Sequence, residues 1–318
     1  VESYPSIVLI GSIAIDRIMN FGGRYQDLIK PDKLHVLSLS VLIDRLVDTP
    51  GGVAANIAYT LALLGEQPVL MGAVGPDADA YIQRLQSLGI DTTGVYRSQR
   101  PTATFTVMTD SADNQVGGFY PGAMADNPRL HLDRWQDRPA LVVVTPNDPT
   151  AMRQQVAECQ QYHLRLLYDV GQQANNLDPA DIRAGVQAAE LLIANDYEMA
   201  VLSDKTGWNL DRLRQMVPLL ITTLGEQGAV IEGNRVATPI HITSATPTQV
   251  IDPTGAGDAF RAGFLYGYVR GRDLTVCGQM GAVAAVYAVE TQGTQEHTFT
   301  RAEFCARYQQ TYQQTIEL

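Results

Sequence analysis

The string Asp252-Pro-Thr-Gly-Ala-Gly-Asp258 places a carboxylate at the start of a helical pattern, just after two glycines. Glycines at 255 and 257 let the backbone approach a ligand with no Cβ in the way, so that N–H groups can point outward. The positive end of the following helix faces the same point, and a tetrahedral anion is expected to settle on the turn Gly255, Ala256 and Gly257. Asp258, in the first helical turn, is placed to take a proton from a hydroxyl attacking such an anion in line. An Asp there also serves as an ordinary helix-start residue. G-x-G-D alone is a weak signal; the longer string at a strand-to-helix junction is far more specific.

A second constellation is Gly51-Gly-Val-Ala-Ala-Asn56. Its glycines permit close approach of a polyol, and the Asn56 amide can both donate to and accept from hydroxyls. Three further groups stand where apolar runs end: Asp16, Asn195-Asp-Tyr-Glu198, and Thr223-Leu-Gly-Glu-Gln-Gly228. Taken singly they read as a turn residue, a helix start and a strand-to-turn junction.

Holding these groups together requires a frame, and the apolar pattern supplies one. Short β-branched runs at 7–15, 69–74, 141–144, 165–169, 191–194 and 219–223 alternate with helical patterns at 54–64, 77–88 and 150–162. Later helices are expected at 257–270 and 274–289, with another from about 301. That alternation predicts an α/β fold with a mostly parallel central sheet, whose ligands collect at the carboxyl ends of the strands. Two stretches, 17–47 and 102–120, instead alternate apolar and polar residues without a crossover helix. They read as a small antiparallel lid inserted into one domain covering 1–318.

The chain has 318 residues, 45% of them hydrophobic and 18% charged, enough for a sizeable core. A net charge of -11 argues against a general nucleic-acid or anionic-membrane binder. Three scattered cysteines, Cys159, Cys277 and Cys305, make neither a disulfide framework nor a zinc site and favour a reducing, cytoplasmic setting. Neither a P-loop string nor the H-R-D and D-F-G pair of protein kinases occurs. A dinucleotide-binding dehydrogenase is disfavoured because Gly11-Ser-Ile-Ala stands where G-x-G-x-x-G belongs.

Together the motifs resemble, in order, those of the ribokinase (PfkB) family of carbohydrate and nucleoside kinases, over essentially the whole chain. The resemblance implies a ribokinase-like three-layer fold with a β-sheet lid, and an ATP-dependent transfer to a primary hydroxyl. It implies that Asp16 grips substrate hydroxyls beside Gly51, Gly52 and Asn56. It further implies that Asn195 and Glu198 organise Mg²⁺, largely through its waters, and that Thr223, Gly225 and Gly228 approach the nucleotide. Asp252 and Thr254, with backbone from 288–293, resemble the family's monovalent-cation (K⁺) site. Many relatives pair through the lid, so a homodimer is expected.

Phe119-Tyr-Pro-Gly-Ala-Met124 and Arg261 are similar to the prokaryotic adenosine-kinase-like branch. They tilt the expected substrate toward a nucleoside such as adenosine, with Phe119, Tyr120 or Met124 walling a purine. Val53 supplies no charge in the Gly-Gly motif, which disfavours a phosphorylated sugar. A free-sugar kinase acting on ribose or fructose, and a binding sensor that has lost catalysis, stay open as alternatives.

Overall fold

The computed structural model describes residues 6–30, 35–36, 38–112, 114–136 and 140–318. Of the segments expected to form the lid, 31–34, 37 and 113 therefore lie outside the described residues. In chain order the first elements are β1 (Ser6–Ile10), β2 (Ala14–Asn20), α1 (Tyr25–Leu28), β3 (Arg45–Gly51), α2 (Val53–Leu63), β4 (Val69–Val74) and α3 (Asp79–Ser87). Next come β5 (Asp91–Arg97), β6 (Ala103–Thr109), β7 (Gln115–Tyr120), β8 (Ala140–Val144), α4 (Pro149–Gln161), β9 (Arg165–Tyr168), α5 (Pro179–Ala188) and β10 (Leu191–Asn195). The remainder is α6 (Asp196–Thr206), α7 (Leu210–Met216), β11 (Leu219–Thr223), β12 (Ala229–Glu232), β13 (Ile240–Ile242), α8 (Ala256–Val269), α9 (Leu274–Val289) and α10 (Arg301–Tyr312).

Nine strands form the large sheet in the order β13-β12-β11-β10-β9-β8-β1-β4-β5. Its pairings from β11 through β5 are parallel, and the β11–β12–β13 edge is antiparallel. The central strands are apolar and buried throughout, because helices cover both faces of a parallel sheet. Alternate residues feed two cores. Leu9, Val143 and Ile193 pack with residues of α2, α8 and α9, whereas Val8, Val144 and Leu192 pack with residues of α4, α5 and α6. The result is the expected three-layer α/β architecture.

The first strand departs from its expected span. The run 7–15 is not one strand, for β1 ends at Ile10 and the chain re-enters extended structure as β2 in a different sheet. Gly11 allows the crossover, since a Cβ there would sit 1.8 Å from Thr145 Oγ1. Asp16 therefore lies within β2 of the small sheet, beyond the end of the first strand of the large one. That small sheet has the order β3-β2-β6-β7. Two of its pairings are antiparallel, but β2 and β6 run parallel.

Candidate active site

The parallel strands β1, β8, β9, β10 and β11 all end on one side of the large sheet, and the turn before α8 faces that side. Gly255 caps α8 in a left-handed conformation, φ 81°, which the chain adopts without strain only because glycine stands there. The loop is also tight: a Cβ on Gly255 would lie 3.1 Å from Thr294 Cβ. The Ala256 N–H turns back onto the Pro253 carbonyl at 3.2 Å. This qualifies the expectation that all three amides of the turn are offered to an anion. The Gly255 and Gly257 N–H groups have no backbone partner among the described residues, and they are the ones left for a ligand.

Asp258 stands in the first turn of α8, where its Oδ2 accepts from Asn56 Nδ2 at 2.9 Å. Withdrawal from water pushes its carboxyl up to about 6, against the opposing pull of Arg261 and of the Asn56 hydrogen bond, while Glu198 adds to the rise. Such a group is ionised near neutrality yet remains a competent proton acceptor.

Asp16 approaches from the small sheet and rests against Gly51, where a Cβ would lie 2.3 Å from its Oδ2. Desolvation, with help from Asp258 and Asp252, pushes Asp16 up to about 7. The structure thus brings Asp16, Gly51, Asn56, Asp252 and Asp258 together from three separate stretches of the chain. Gly52 (φ 95°) turns the chain from β3 into α2; a Cβ there would lie 2.6 Å from the Ala14 nitrogen and the Ser12 carbonyl oxygen. Ser12 Oγ accepts the Val53 N–H at 3.0 Å and fixes that helix start.

Asn195 and Glu198 form a reciprocal capping box at the start of α6. The Asn195 side chain accepts from the Glu198 N–H at 2.8 Å, and Glu198 Oε2 accepts from the Asn195 N–H at 2.9 Å. This helix-start geometry coexists with a site position, since Glu198 Oε2 lies 3.9 Å from Arg261. At the end of β11, Thr223 pairs with Asn195 across the sheet. The following turn has Gly225 at φ 58° and Gly228 at φ 91°. A Cβ at Gly228 would meet the Ile242 carbonyl at 1.9 Å. Asp252 Oδ1 accepts from the Thr254 N–H (2.9 Å) and Oδ2 from the Gly293 N–H (3.0 Å), joining the two segments expected around a cation.

Several residues that complete the cluster were not singled out from the sequence. Asp169, just past β9, holds Arg261 through contacts of 2.7 and 2.9 Å, and both side chains are buried. Arg261, noted there only as a lineage mark, sits one helical turn after Asp258 and is shared among Asp169, Glu198 and Asp258. A Cβ on Gly257 would lie 2.9 Å from Arg261 Nη1, so the guanidinium lies directly beneath the glycine-rich turn. The position of Asp169 at a strand's carboxyl end was the available signal. For Gln295, which reaches Asn56 from behind, and Tyr81, which accepts from Gln295, no pattern existed to find.

In the small sheet, Thr49, Asp16, Phe105 and Phe119 occupy one cross-strand row and therefore share a face. Ile18, Val47 and Val107 continue it. Tyr120 lies in the adjacent row and faces the other way, which removes it from the expected purine wall. Met124 is buried against Ala14 and Ala103, a packing role.

Unpaired amides at a helix N-terminus, a carboxylate in that helix's first turn, and a second carboxylate facing it from a covering sheet make a layout for phosphoryl transfer to a hydroxyl. Fold and site together define an α/β phosphotransferase. The chain belongs to the pfkB family of carbohydrate kinases, whose match covers residues 5–301. It is 30% identical over 315 residues to a nucleoside kinase of Methanothermobacter thermautotrophicus, covering 95% of each chain. Its structure is similar to Burkholderia thailandensis nucleoside kinase in complex with inosine, with a TM-score of 0.89, 34% identity, and coverage of 98% of this chain and 100% of that one. The ADP-inosine complex of that enzyme gives a TM-score of 0.86 at 35% identity, covering 98% of both chains.

Proposed function

We propose that this protein transfers the γ-phosphoryl group of ATP to the primary hydroxyl of a nucleoside ribose. The observation that carries the nucleoside part is the row Asp16, Phe105, Phe119 on one face of the small sheet. Neighbouring strands lie about 4.8 Å apart. A ribose held through two hydroxyls on Asp16 therefore leaves its base within reach of two phenyl rings, on which flat heteroaromatics stack well. Full-length likeness to nucleoside kinases, one of them bound to inosine, supports the same reading.

In this reading Asp258 removes the hydroxyl proton as the oxygen attacks. The Gly255 and Gly257 amides and the α8 terminus receive the charge that develops on the transferring group. Arg261 keeps Asp258, Asp169 and Glu198 from repelling one another out of position. Thr223, Gly225 and Gly228 line the nucleotide end. Glu198 commits one oxygen to its cap, and the other makes no hydrogen bond among the described residues; that fits contact with hydrated Mg²⁺, which keeps much of its water and offsets phosphate charge when bound. Asp252, Thr254 and the 288–293 backbone would hold a monovalent cation such as K⁺. The small sheet acts as a lid that excludes water over the reactants.

The outer face of the lid carries exposed Leu46, Val116 and Tyr120. We assign it to pairing with a second copy; a monomeric mass by light scattering at micromolar concentration would remove this part.

The activity is tested by ADP release with ATP and Mg²⁺ over inosine, adenosine, pyrimidine nucleosides, ribose and fructose. The expected result is strong turnover with a purine nucleoside and weak turnover with free ribose. Turnover confined to a free sugar would replace the substrate, and binding without turnover would favour a sensor.

A further inference from the structure

We propose that Gln295, backed by Tyr81, is a positioning residue that fixes which way the Asn56 amide faces, so that one oxygen of Asp258 is held and the other is left for the substrate hydroxyl. The proposal rests on the reading of Asp258 as the base.

Four hydrogen bonds carry it. The Tyr81 hydroxyl donates to the Gly51 carbonyl at 2.9 Å. Gln295 Nε2 donates to the Tyr81 hydroxyl at 2.5 Å and to Asn56 Oδ1 at 2.9 Å. Asn56 Nδ2 then donates to Asp258 Oδ2 at 2.9 Å. The two ends of this chain, a backbone carbonyl and a carboxylate, can only accept. Polarity must therefore reverse somewhere between them, and it reverses at Gln295, whose amide nitrogen has two hydrogens to give in opposite directions.

A flipped Gln295 would have to receive from both sides. Asn56 would then turn its carbonyl toward the Asp258 carboxylate, an arrangement with no proton between two acceptors. Gln295 keeps its observed orientation although its Oε1 is buried and has no hydrogen-bond partner among the described residues.

The loop bearing Gln295 is itself fixed from three elements. Arg84 of α3 donates to the Gln295 carbonyl at 2.6 Å, Tyr59 of α2 to the His297 carbonyl at 2.7 Å, and Thr294 to the Pro50 carbonyl of β3 at 3.1 Å. Both ends of the Asn56 amide are thus engaged within the protein. In this arrangement it holds the base, and its second Nδ2 hydrogen, which has no partner among the described residues, is left for the substrate contact expected from the sequence. The charged groups facing Asp258 are Arg261 on its own helix, Glu198 on α6, Asp169 after β9 and Asp16 on β2. None of them supplies a neutral donor in place of Asn56.

The test compares wild type with Gln295→Met, which keeps the volume and adds no charge, and with Tyr81→Phe. Steady-state constants for inosine phosphorylation are measured from pH 5 to 9. For Gln295→Met the relay predicts a fall in kcat of at least about tenfold with KM within about twofold, the pattern of lost transition-state positioning. The acid limb of kcat should also move to higher pH, because the Asn56 donation that favours the ionised base is no longer enforced. Tyr81→Phe should move both in the same direction by smaller steps.

A folded Gln295→Met with wild-type kcat and acid limb would overturn the relay. If that variant does not fold, an unshifted limb in Tyr81→Phe does the same. Asp258→Asn separates the two levels. Full activity in that variant removes the base assignment, whereas its inactivity beside an unaffected Gln295→Met removes the relay alone.

Discussion

Asp16 and Asp258 are two carboxylates drawn into one partly dehydrated cleft, and each holds its proton more tightly than in the unfolded chain. Their contribution to stability is therefore greatest below the ordinary carboxylate range and is lost as pH rises through about 6 for Asp258 and about 7 for Asp16. His297 works in the opposite sense, since burial lowers it to about 4, so the clean quantity is a difference between variants. Asp16→Asn keeps the shape and removes the penalty. It should melt about 2–4 °C above wild type at pH 8, with the difference closing toward pH 4, while nucleoside turnover collapses. An equal or lower melting temperature at pH 8 would show that Asp16 is not strained by its surroundings. Such an exchange of stability for function is common in active sites.

At the scale of elements, the site depends on α8 being tied to its neighbours. Arg261 of α8 reaches Asp169 after β9 and Glu198 on α6, and it does so almost wholly out of water. Removing one partner of such a pair leaves an uncompensated buried charge. Arg261→Met should therefore lose about 3–5 kcal/mol in urea unfolding, and adding Asp169→Asn should recover part of it. Simple additivity of the two losses would contradict a direct pair. Elements also mark the limits of sequence reading. The buried strands β4, β8, β10 and β11 were legible because a parallel sheet covered on both faces demands continuous apolar runs. The join between β1 and β2 was not, since apolar residues continue across Gly11 into a different sheet. The edge strands β12 and β13 are short and mixed, and offered no comparable run.

At the scale of the molecule, two bodies face each other: a large sheet whose strand ends carry Asp169, Asn195 and Thr223, and a small sheet that brings Asp16 over them. The glycine-rich turn, the Gly51-Gly52 pair and Asp16 were readable because backbone geometry restricts those positions to few residue types or because they matched a known family order. Arg261 with Asp169, and Gln295 with Tyr81, were not readable as partners. Their meaning lies in contacts across 92 and 214 positions that only folding creates. The same separation bears on the proposed chemistry, in which a base held by one segment and a substrate grip held by another meet only when both bodies are in place.

The most direct test is Asp258→Asn, measured both for nucleoside phosphorylation and for nucleoside binding by calorimetry. General-base loss predicts a fall in kcat of about 10²–10⁴, with the dissociation constant for the nucleoside nearly unchanged. An unchanged kcat would contradict the assignment of Asp258, and with it the account of this turn as the chemical centre.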